Sequence, residues 1–167
     1  MSYREHKQEA PQSVNCAVLV ISDSRTEDTD ESGKFIKQAL SQNGHRVTAY
    51  AILKNDAKVI EQKIRGLLSQ DGLQVIITSG GTGISHRDVT VETVSPIIEK
   101  RLDGFGELFR LLSYQEIGTP SIMSRCVAGV VGGKIIICLP GSLGAARLAI
   151  DKIILPEIGH MVREVTR

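Results

Sequence analysis

Residues 73–83 have the sequence LQVIITSGGTG, an apolar run that ends in a loop of glycines and hydroxyl side chains. Apolar side chains fill consecutive positions from Val75 to Ile77, so both faces of this segment have to be buried. Short continuous runs rich in Val and Ile are typical of strands in a parallel sheet that is covered on both faces. The stretch therefore predicts a buried strand over Leu73–Thr78, followed by a glycine-rich turn.

On both sides of this strand, apolar runs alternate with amphipathic segments. Further strands are predicted at Val14–Ser22, Arg46–Leu53 and Lys134–Leu139. Helices are predicted at Ser32–Asn43, Asp56–Ser69, Thr90–Lys100, Phe105–Tyr114, Ser142–Lys152 and 156–165. Residues 118–133 fit either one or two short strands or an inserted lobe. Strands that alternate with helices indicate an α/β fold, with a mostly parallel central sheet and helices on both faces.

Length and composition narrow the class of protein. A chain of 167 residues favours a single domain, here over residues 13–167, after a loose polar tail at residues 1–12. The net charge of +1 and the aromatic content of 4% argue against nucleic acid or an anionic membrane as partners. Three widely spaced cysteines without a C-x-x-C motif indicate free thiols, so we expect a cytoplasmic protein.

In an open parallel sheet, ligands bind beyond the carboxyl ends of the strands, so the loops there are the first candidates for a site. The loop Ser79-Gly80-Gly81-Thr82-Gly83 follows the central strand. Without Cβ atoms its backbone can approach a phosphate closely, and its N–H groups and hydroxyls supply donors. We expect these five residues to bind an anion. The alternative is a flexible turn without a ligand.

Acidic and hydroxyl side chains follow this loop directly. Asp88, Thr90 and Glu92 stand just before or within the next predicted helix, where capping is the simplest role for each. A carboxylate beside a phosphate site also suits Mg²⁺, which takes one or two carboxylates together with phosphate oxygens. Arg87 could neutralise phosphate charge, and His86 could take part in acid–base chemistry.

Other strand ends carry weaker candidates. Pro140-Gly141-Ser142 joins a buried strand to a helix and forms a second turn suited to anions. Ser22 and Asp23 follow the first strand and could bind phosphate or sugar hydroxyls, or simply face solvent. Asp56 by itself is best explained as a helix cap.

Taken in order, these motifs resemble the MoaB/MogA molybdenum cofactor biosynthesis family. The resemblance rests on the glycine loop, Asp88-x-Thr90-x-Glu92, Gly106-Glu107-x-Phe109-Arg110, Ser124-Arg125 and Pro140-Gly141-Ser142. It extends from about Val14 to Ile158, and residues 106–114 and 140–142 are most similar to the MoaB branch.

The resemblance implies a three-layer α/β domain that assembles as homotrimers or homohexamers. It also implies Mg²⁺- and ATP-dependent adenylylation of molybdopterin with release of pyrophosphate, and other enzymes of the pathway as candidate partners. By similarity, Asp88 and Asp56 are the acidic catalytic and metal-binding residues. The glycine loop and Thr90 bind the co-substrate. Ser124, with Arg125 beside it, handles the pterin.

Two other functions fit the same residues. Val91 stands where active relatives often have proline, and Ser142-Leu143 replaces their usual residues after Pro140-Gly141. A protein of the same pathway that binds molybdopterin or nucleotide without turnover is therefore the alternative. A flavodoxin-like flavin protein is the other, although the loop after the first strand lacks glycine.

Overall fold

The structure is a computed structural model that describes residues 9–167. Within this range, six strands form one sheet in the order β2-β1-β3-β6-β5-β4. Strands β2, β1, β3 and β6 are parallel, whereas β5 runs antiparallel to β6 and β4 runs antiparallel to β5. The strands are β1 (Asn15–Ile21), β2 (Arg46–Leu53), β3 (Val75–Ser79), β4 (Lys100–Arg101), β5 (Val127–Val131) and β6 (Lys134–Leu139). The predicted, mostly parallel sheet is confirmed.

Helices connect the strands. They are α1 (Glu31–Gln42), α2 (Ala57–Leu68), α3 (Thr90–Val94), α4 (Asp103–Ile117), α5 (Leu143–Ala149) and α6 (Leu155–Val165). Short 3₁₀ turns lie at Ser95–Ile97 and Thr119–Met123, and a π-helical turn at Ile150–Ile154 joins α5 to α6. Side-chain caps define where three helices begin, because Asp30, Asp56 and Ser142 each accept a hydrogen bond from a backbone N–H of the first turn.

The core lies on both faces of the sheet. In β1, Cys16 and Val18 pack with α1 and α6 on one face, while the alternating residues Ala17 and Leu19 pack with α2 on the other. Helices α1, α4, α5 and α6 cover the first face, and α2 and α3 cover the second. The predicted three-layer sandwich is confirmed.

The chain order of the strands reverses beside β1, which lies between β2 and β3. The connection from β1 leads to β2 on one side, whereas the connection from β3 leads toward β4 on the other, so a crevice opens at the carboxyl ends of β1 and β3. The register places Val20 beside Ser79 and Ser79 beside Leu139, so β1, β3 and β6 end at the same level. The loops that follow these three strands therefore meet at one edge.

One predicted helix is wrong. Residues 90–100 form the short helix α3, then a 3₁₀ turn, and then strand β4 at the edge of the sheet. Pro96 has no N–H to donate to the carbonyl of Glu92, so the α-helical hydrogen bonds cannot continue through it. Residues 118–133, ambiguous in sequence, form a 3₁₀ turn and strand β5.

The first eight residues of the predicted tail lie outside the described residues. Of the remainder, Glu9 forms an ion pair with Arg163 in α6. The carbonyl of Pro11 passes so close to Gly159 that a Cβ there would lie 2.5 Å from its oxygen. Among residues 9–167, no helix combines the length and the hydropathy needed to cross a bilayer.

Candidate functional site

A cavity of about 660 Å³ opens at the carboxyl ends of β1, β3 and β6. It brings Gly81, Asp88 and Gly141 together, as the motifs predict. Eleven predicted site residues line it: Ser22, Asp23, Gly80, Gly81, Thr82, Gly83, Asp88, Ser124, Pro140, Gly141 and Ser142. Further lining residues include Arg25, Asn55, Arg87, Pro120 and Met123.

The loop after β3 has a backbone shape that only glycine allows at two positions. Gly80 and Gly81 have φ angles of +111° and +69°, in the region that disfavours side chains. A Cβ on Gly80 would lie 2.2 Å from the carbonyl oxygen of Ile21, and one on Gly81 would lie 2.2 Å from Thr90 Oγ1. A Cβ on Gly141 would lie 3.2 Å from Gly80 Cα, so the two loops touch through their backbones.

Thr90 closes the glycine loop from behind. Its buried hydroxyl donates to the Gly80 carbonyl at 2.9 Å, and its backbone N–H donates to the Gly81 carbonyl at 2.9 Å. Thr90 is absent from the cavity lining, so its observed contacts are structural, although the sequence predicted it among the binding residues.

The backbone N–H groups of the glycine loop are the most distinctive polar groups of the cavity. Within residues 9–167, those of Gly81, Thr82 and Gly83 donate to no protein acceptor. An N–H group that lacks an internal partner must be satisfied by water or by a ligand. Successive amides at a concave surface are typical of anion-binding sites.

Asp88 brings a carboxylate next to this loop. Its Oδ2 accepts a hydrogen bond from the Ser85 N–H at 3.1 Å, and a Cβ on Gly83 would lie 2.6 Å from the same oxygen. A carboxylate has about four lone-pair directions, so Asp88 retains capacity for a cation or a donor in the cavity.

The loop after β1 uses its side chains to hold its own backbone. Ser22 Oγ accepts from the N–H groups of Ser24 and Arg25, at 3.3 and 3.1 Å. Asp23 accepts from the backbone N–H of Asn55 at 3.0 Å, and this hydrogen bond lowers the pKa of the Asp23 carboxyl. Lys54 Nζ donates to the Asp23 carbonyl at 2.6 Å.

Asp56 does not line the cavity. Its Oδ1 accepts from the N–H groups of Lys58 and Val59, at 2.9 and 3.1 Å, which makes it the N-cap of α2. The preceding residue, Asn55, lines the cavity instead, and its Oδ1 is buried without a hydrogen-bond partner among the described residues. The predicted pair of acidic residues is thus not brought together, and Asp23 is the second carboxylate at the cavity.

Ser124 and Arg125 have different surroundings despite being adjacent. Ser124 lines the main cavity and also a neighbouring cavity of about 480 Å³. Arg125 lines only the neighbouring cavity, and its guanidinium group contacts the carbonyls of Thr82 and Gly83 and the carboxylate of Glu92.

A buried polar network lies beneath the cavity, and none of the sequence motifs indicates it. Asp30 is 0% exposed and accepts hydrogen bonds from Gly33 N–H at 2.9 Å and from Tyr50 Oη at 2.6 Å. Burial, followed by the hydrogen bond to Asp30, raises the pKa of Tyr50 well above its usual value.

This network reaches two of the loops. Arg25, which lines the cavity, donates to Ser32 Oγ at 2.7 Å and lies 3.9 Å from the Asp30 carboxylate. Ser79 Oγ lies 3.4 Å from both Ser32 Oγ and the Pro140 carbonyl oxygen. Ser79 is thus buried behind the cavity and links the ends of β3 and β6, rather than facing a ligand.

Oxygen atoms at the cavity suit a hard divalent cation. Asp88, Asp23 and the unpartnered Oδ1 of Asn55 are the available donors, and Mg²⁺ prefers oxygen ligands. Among residues 9–167, no cluster of three or more His, Cys, Asp or Glu side chains is arranged to hold a metal ion. The residues therefore fit a cation that is bound jointly by protein oxygens and phosphate.

The cysteines take no part in this site. Cys16, Cys126 and Cys138 are free and buried. Burial raises the pKa of the three thiols to about 12, about 11 and about 12, respectively. They are protonated at neutral pH, so none is poised as a nucleophile or a metal ligand.

Comparison with known proteins identifies the family. Residues 17–160 match the family model described as "Probable molybdopterin binding domain". The chain belongs to this family. It is 46% identical over 168 aligned positions to molybdenum cofactor biosynthesis protein B of Bacillus cereus, covering 100% of this chain and 99% of the relative. The protein of the same name from Staphylococcus carnosus is 47% identical and covers 92% of each chain.

Solved structures agree with this family assignment. A crystal structure of molybdenum cofactor biosynthesis protein B superimposes with a TM-score of 0.91 at 46% identity, over 95% of this chain and 99% of the other. The tungsten cofactor synthesizing protein MoaB from Pyrococcus furiosus superimposes with a TM-score of 0.80 at 32% identity, over 95% and 100%. These relatives support a role for the chain in molybdenum cofactor biosynthesis, and the family model that it matches is described as molybdopterin-binding.

Proposed function

We propose that this protein transfers AMP from ATP to molybdopterin and releases pyrophosphate. The observation that carries the proposal is the row of N–H groups at Gly81, Thr82 and Gly83, which have no acceptor in the part of the chain that the structure describes; these three residues share a cavity with Asp88. Phosphate groups are the ligands that such amides bind best.

The reaction joins two anions. A phosphate oxygen of molybdopterin forms a bond to the α-phosphorus of ATP, while the bond from that phosphorus to the bridging oxygen of the β-phosphate breaks and pyrophosphate leaves. The phosphate is already a nucleophile, so the chain needs no strong base. Inward N–H groups offset the charge repulsion and hold the reacting groups in line.

Mg²⁺ is the proposed cofactor, and Asp88 is the residue assigned to hold it with the phosphates. Mg²⁺ supplies charge neutralisation at the phosphate oxygens when bound. Asp23 and Asn55 Oδ1 are the protein oxygens of the same cavity that could complete its surroundings. Asp56, the other expected ligand, caps α2 and is absent from the cavity lining.

The test is a measurement of pyrophosphate release from ATP with and without molybdopterin. We expect release that depends on both molybdopterin and Mg²⁺, together with adenylylated molybdopterin as product. If ATP and molybdopterin both bind but no pyrophosphate appears, the transferase proposal is overturned.

Binding without turnover is a second candidate, favoured by one observation. Asp56 caps α2 instead of lining the cavity, which leaves the site without one of its two expected catalytic carboxylates. In that case the protein would hold molybdopterin or nucleotide for other enzymes of the pathway. The same assay decides between the two candidates. The cytoplasmic location stays a prediction.

The outer face of α4 supports the proposed self-association. Leu108, Leu111, Tyr114 and Ile117 repeat at intervals of three residues and are exposed, as are Ile122 and Met123 in the turn that follows. A monomer rarely exposes so many adjacent apolar side chains. We propose that further copies of this chain cover them in a homotrimer or homohexamer. Light scattering should then give three or six times the chain mass of 18.1 kDa, and Leu111→Glu should reduce it.

A further inference from the structure

Arg125 holds the glycine loop through two of its backbone carbonyls. Its Nε donates to the Thr82 carbonyl at 3.0 Å, and its Nη2 donates to the Gly83 carbonyl. Nη1 and Nη2 also contact the two carboxylate oxygens of Glu92, the latter at 3.4 Å. One side chain thus joins the segment before β5, the loop after β3 and helix α3.

Because of peptide geometry, the contacts of Arg125 with the loop carbonyls also fix the direction of the N–H groups that follow them. No cis peptide bond occurs among the described residues, and in a trans peptide the carbonyl and the following N–H point in opposite directions. Carbonyls of Thr82 and Gly83 that face Arg125 therefore direct the N–H groups of Gly83 and Ile84 away from it. Gly83 itself lines the main cavity, and its N–H has no acceptor among residues 9–167.

The guanidinium has little capacity left for a ligand. Arginine carries five N–H donors, one on Nε and two on each Nη. Thr82, Gly83 and the two oxygens of Glu92 account for four of them. A single remaining N–H cannot form the bidentate pair through which arginine recognises phosphate. Arg125 also lines the neighbouring cavity rather than the main one.

We propose that Arg125 is a positioning residue, held by Glu92, that fixes the carbonyls of Thr82 and Gly83 so that the loop amides face the phosphate. This inference departs from the pterin-handling role that the resemblance implied. It rests on the proposed function in one respect, namely that an anion is the ligand of these amides.

Loop order in the free protein gives the first test. Amide ¹⁵N relaxation should give order parameters near 0.85 at Gly83 and Ile84 in the native protein, falling below about 0.6 in Arg125→Lys. Lysine keeps the positive charge but lacks the planar fork that reaches two carbonyls and a carboxylate together. Unchanged order parameters in a folded Arg125→Lys variant would overturn the proposal.

ATP affinity gives the second test. The direction in which it changes in Glu92→Gln distinguishes direct phosphate binding by Arg125 from positioning of the loop. If Arg125 bound phosphate directly, Glu92→Gln would release the guanidinium and remove a negative charge, so ATP would bind more tightly. Positioning predicts the opposite, a Kd about threefold higher in Glu92→Gln and about tenfold higher in Arg125→Lys. Tighter binding in Glu92→Gln overturns the proposal.

An exposed arginine–glutamate pair on α2 provides the matched control. Arg65 pairs with Glu61 at 2.7 Å and touches neither cavity, so Arg65→Lys and Glu61→Gln should leave both readouts unchanged. If the native protein binds no ATP, the proposed function fails while the relaxation experiment still decides the role of Arg125. The two failures are therefore distinguishable.

Discussion

The loops after β3 and β1 flank the same crevice, yet they are built in opposite ways. The β3 loop takes its shape from Gly80 and Gly81 and is held through its carbonyls by Thr90 and Arg125, while the N–H groups of Gly81, Thr82 and Gly83 have no acceptor within residues 9–167. In the β1 loop, the side-chain oxygens of Ser22 and Asp23 already accept hydrogen bonds from nearby backbone N–H groups.

This difference assigns separate tasks to the two loops. An amide without an internal acceptor is available to a ligand, whereas a side-chain oxygen that already accepts two N–H groups offers less. We therefore expect the β3 loop to supply most of the phosphate affinity. The β1 loop should mainly shape the opposite wall and contribute the carboxylate of Asp23.

Replacing Gly81 should have the largest effect, because it disrupts the loop that we expect to supply most of the phosphate affinity. In Gly81→Ala, the added Cβ would lie 2.2 Å from Thr90 Oγ1 at a φ of +69°, so the loop has to change shape. Strain of this kind costs about 1–3 kcal/mol, and ATP affinity should fall on the order of 100-fold. Calorimetric titration with ATP measures the loss, and urea unfolding measures the strain.

Gly66 provides the control for that substitution. It lies inside α2, and apart from its chain neighbours and the backbone of the helix itself the described residues place no atom within 4 Å of an added Cβ, so Gly66→Ala should raise the free energy of unfolding by about 0.5–1 kcal/mol. ATP affinity should stay at the native value. Equal ATP affinity in Gly81→Ala and Gly66→Ala would mean that the glycine loop does not bind the nucleotide.

The carboxylates offer the next comparison. Asp88→Asn should lower pyrophosphate release on the order of 100-fold, because it removes a charge from the phosphate site. Asp56→Asn should leave turnover nearly normal, since asparagine caps a helix as well as aspartate does. Steady-state rates for both variants test this ranking. A large loss of turnover in Asp56→Asn would show that Asp56 takes part in the reaction.

Ser22 should matter for stability more than for binding. Ser22→Ala leaves the N–H groups of Ser24 and Arg25 without their side-chain acceptor, which should cost about 1 kcal/mol in the free energy of unfolding. We expect the ATP Kd to change by less than about threefold. A tenfold rise in Kd without loss of stability would show that the β1 loop binds phosphate itself.

Low pH should weaken the contacts that hold both loops, and the resulting loss of stability should be the smallest of the predicted effects. The hydrogen bond from Arg125 lowers the pKa of Glu92 from 4.5, and that from Asn55 lowers the pKa of Asp23 from 3.8. A lowered folded-state pKa stabilises the fold above the unfolded value, and this stabilisation is lost as pH falls through the folded one. The free energy of unfolding, measured by urea titration at a series of pH values from about 5 to 2, should therefore fall less steeply with decreasing pH in Glu92→Gln than in the native protein.

Local patterns in the sequence were sufficient to predict the sheet and most of the residues that line the cavity. Runs such as Val75–Ile77 can be buried on both faces only in the middle of a sheet, and parallel strands place their following loops at one edge. Those two rules bring Gly81 and Gly141 together without any knowledge of the side-chain contacts.

Other features depend on contacts that no local pattern encodes. Arg125 meets Glu92 across a separation of 33 residues, and Asp30 meets Tyr50 across 20 residues. The choice between Asn55 and Asp56 as the residue at the cavity depends on where α2 begins, a boundary that sequence locates only within a few residues. Strand β4 forms because β5 offers it a partner, although its own two residues are charged and exposed.

The buried cysteines make this protein convenient for spectroscopy. All three cysteines of the chain are buried, Cys126 being 6% exposed at the neighbouring cavity, and their raised pKa values leave almost no thiolate to react with maleimides or other electrophiles. A dye or spin label attached through Ile84→Cys, beside the glycine loop, or through Ser24→Cys on the opposite wall would therefore have no competing native thiol to block. Paired labels at the two positions would follow the width of the crevice as nucleotide enters.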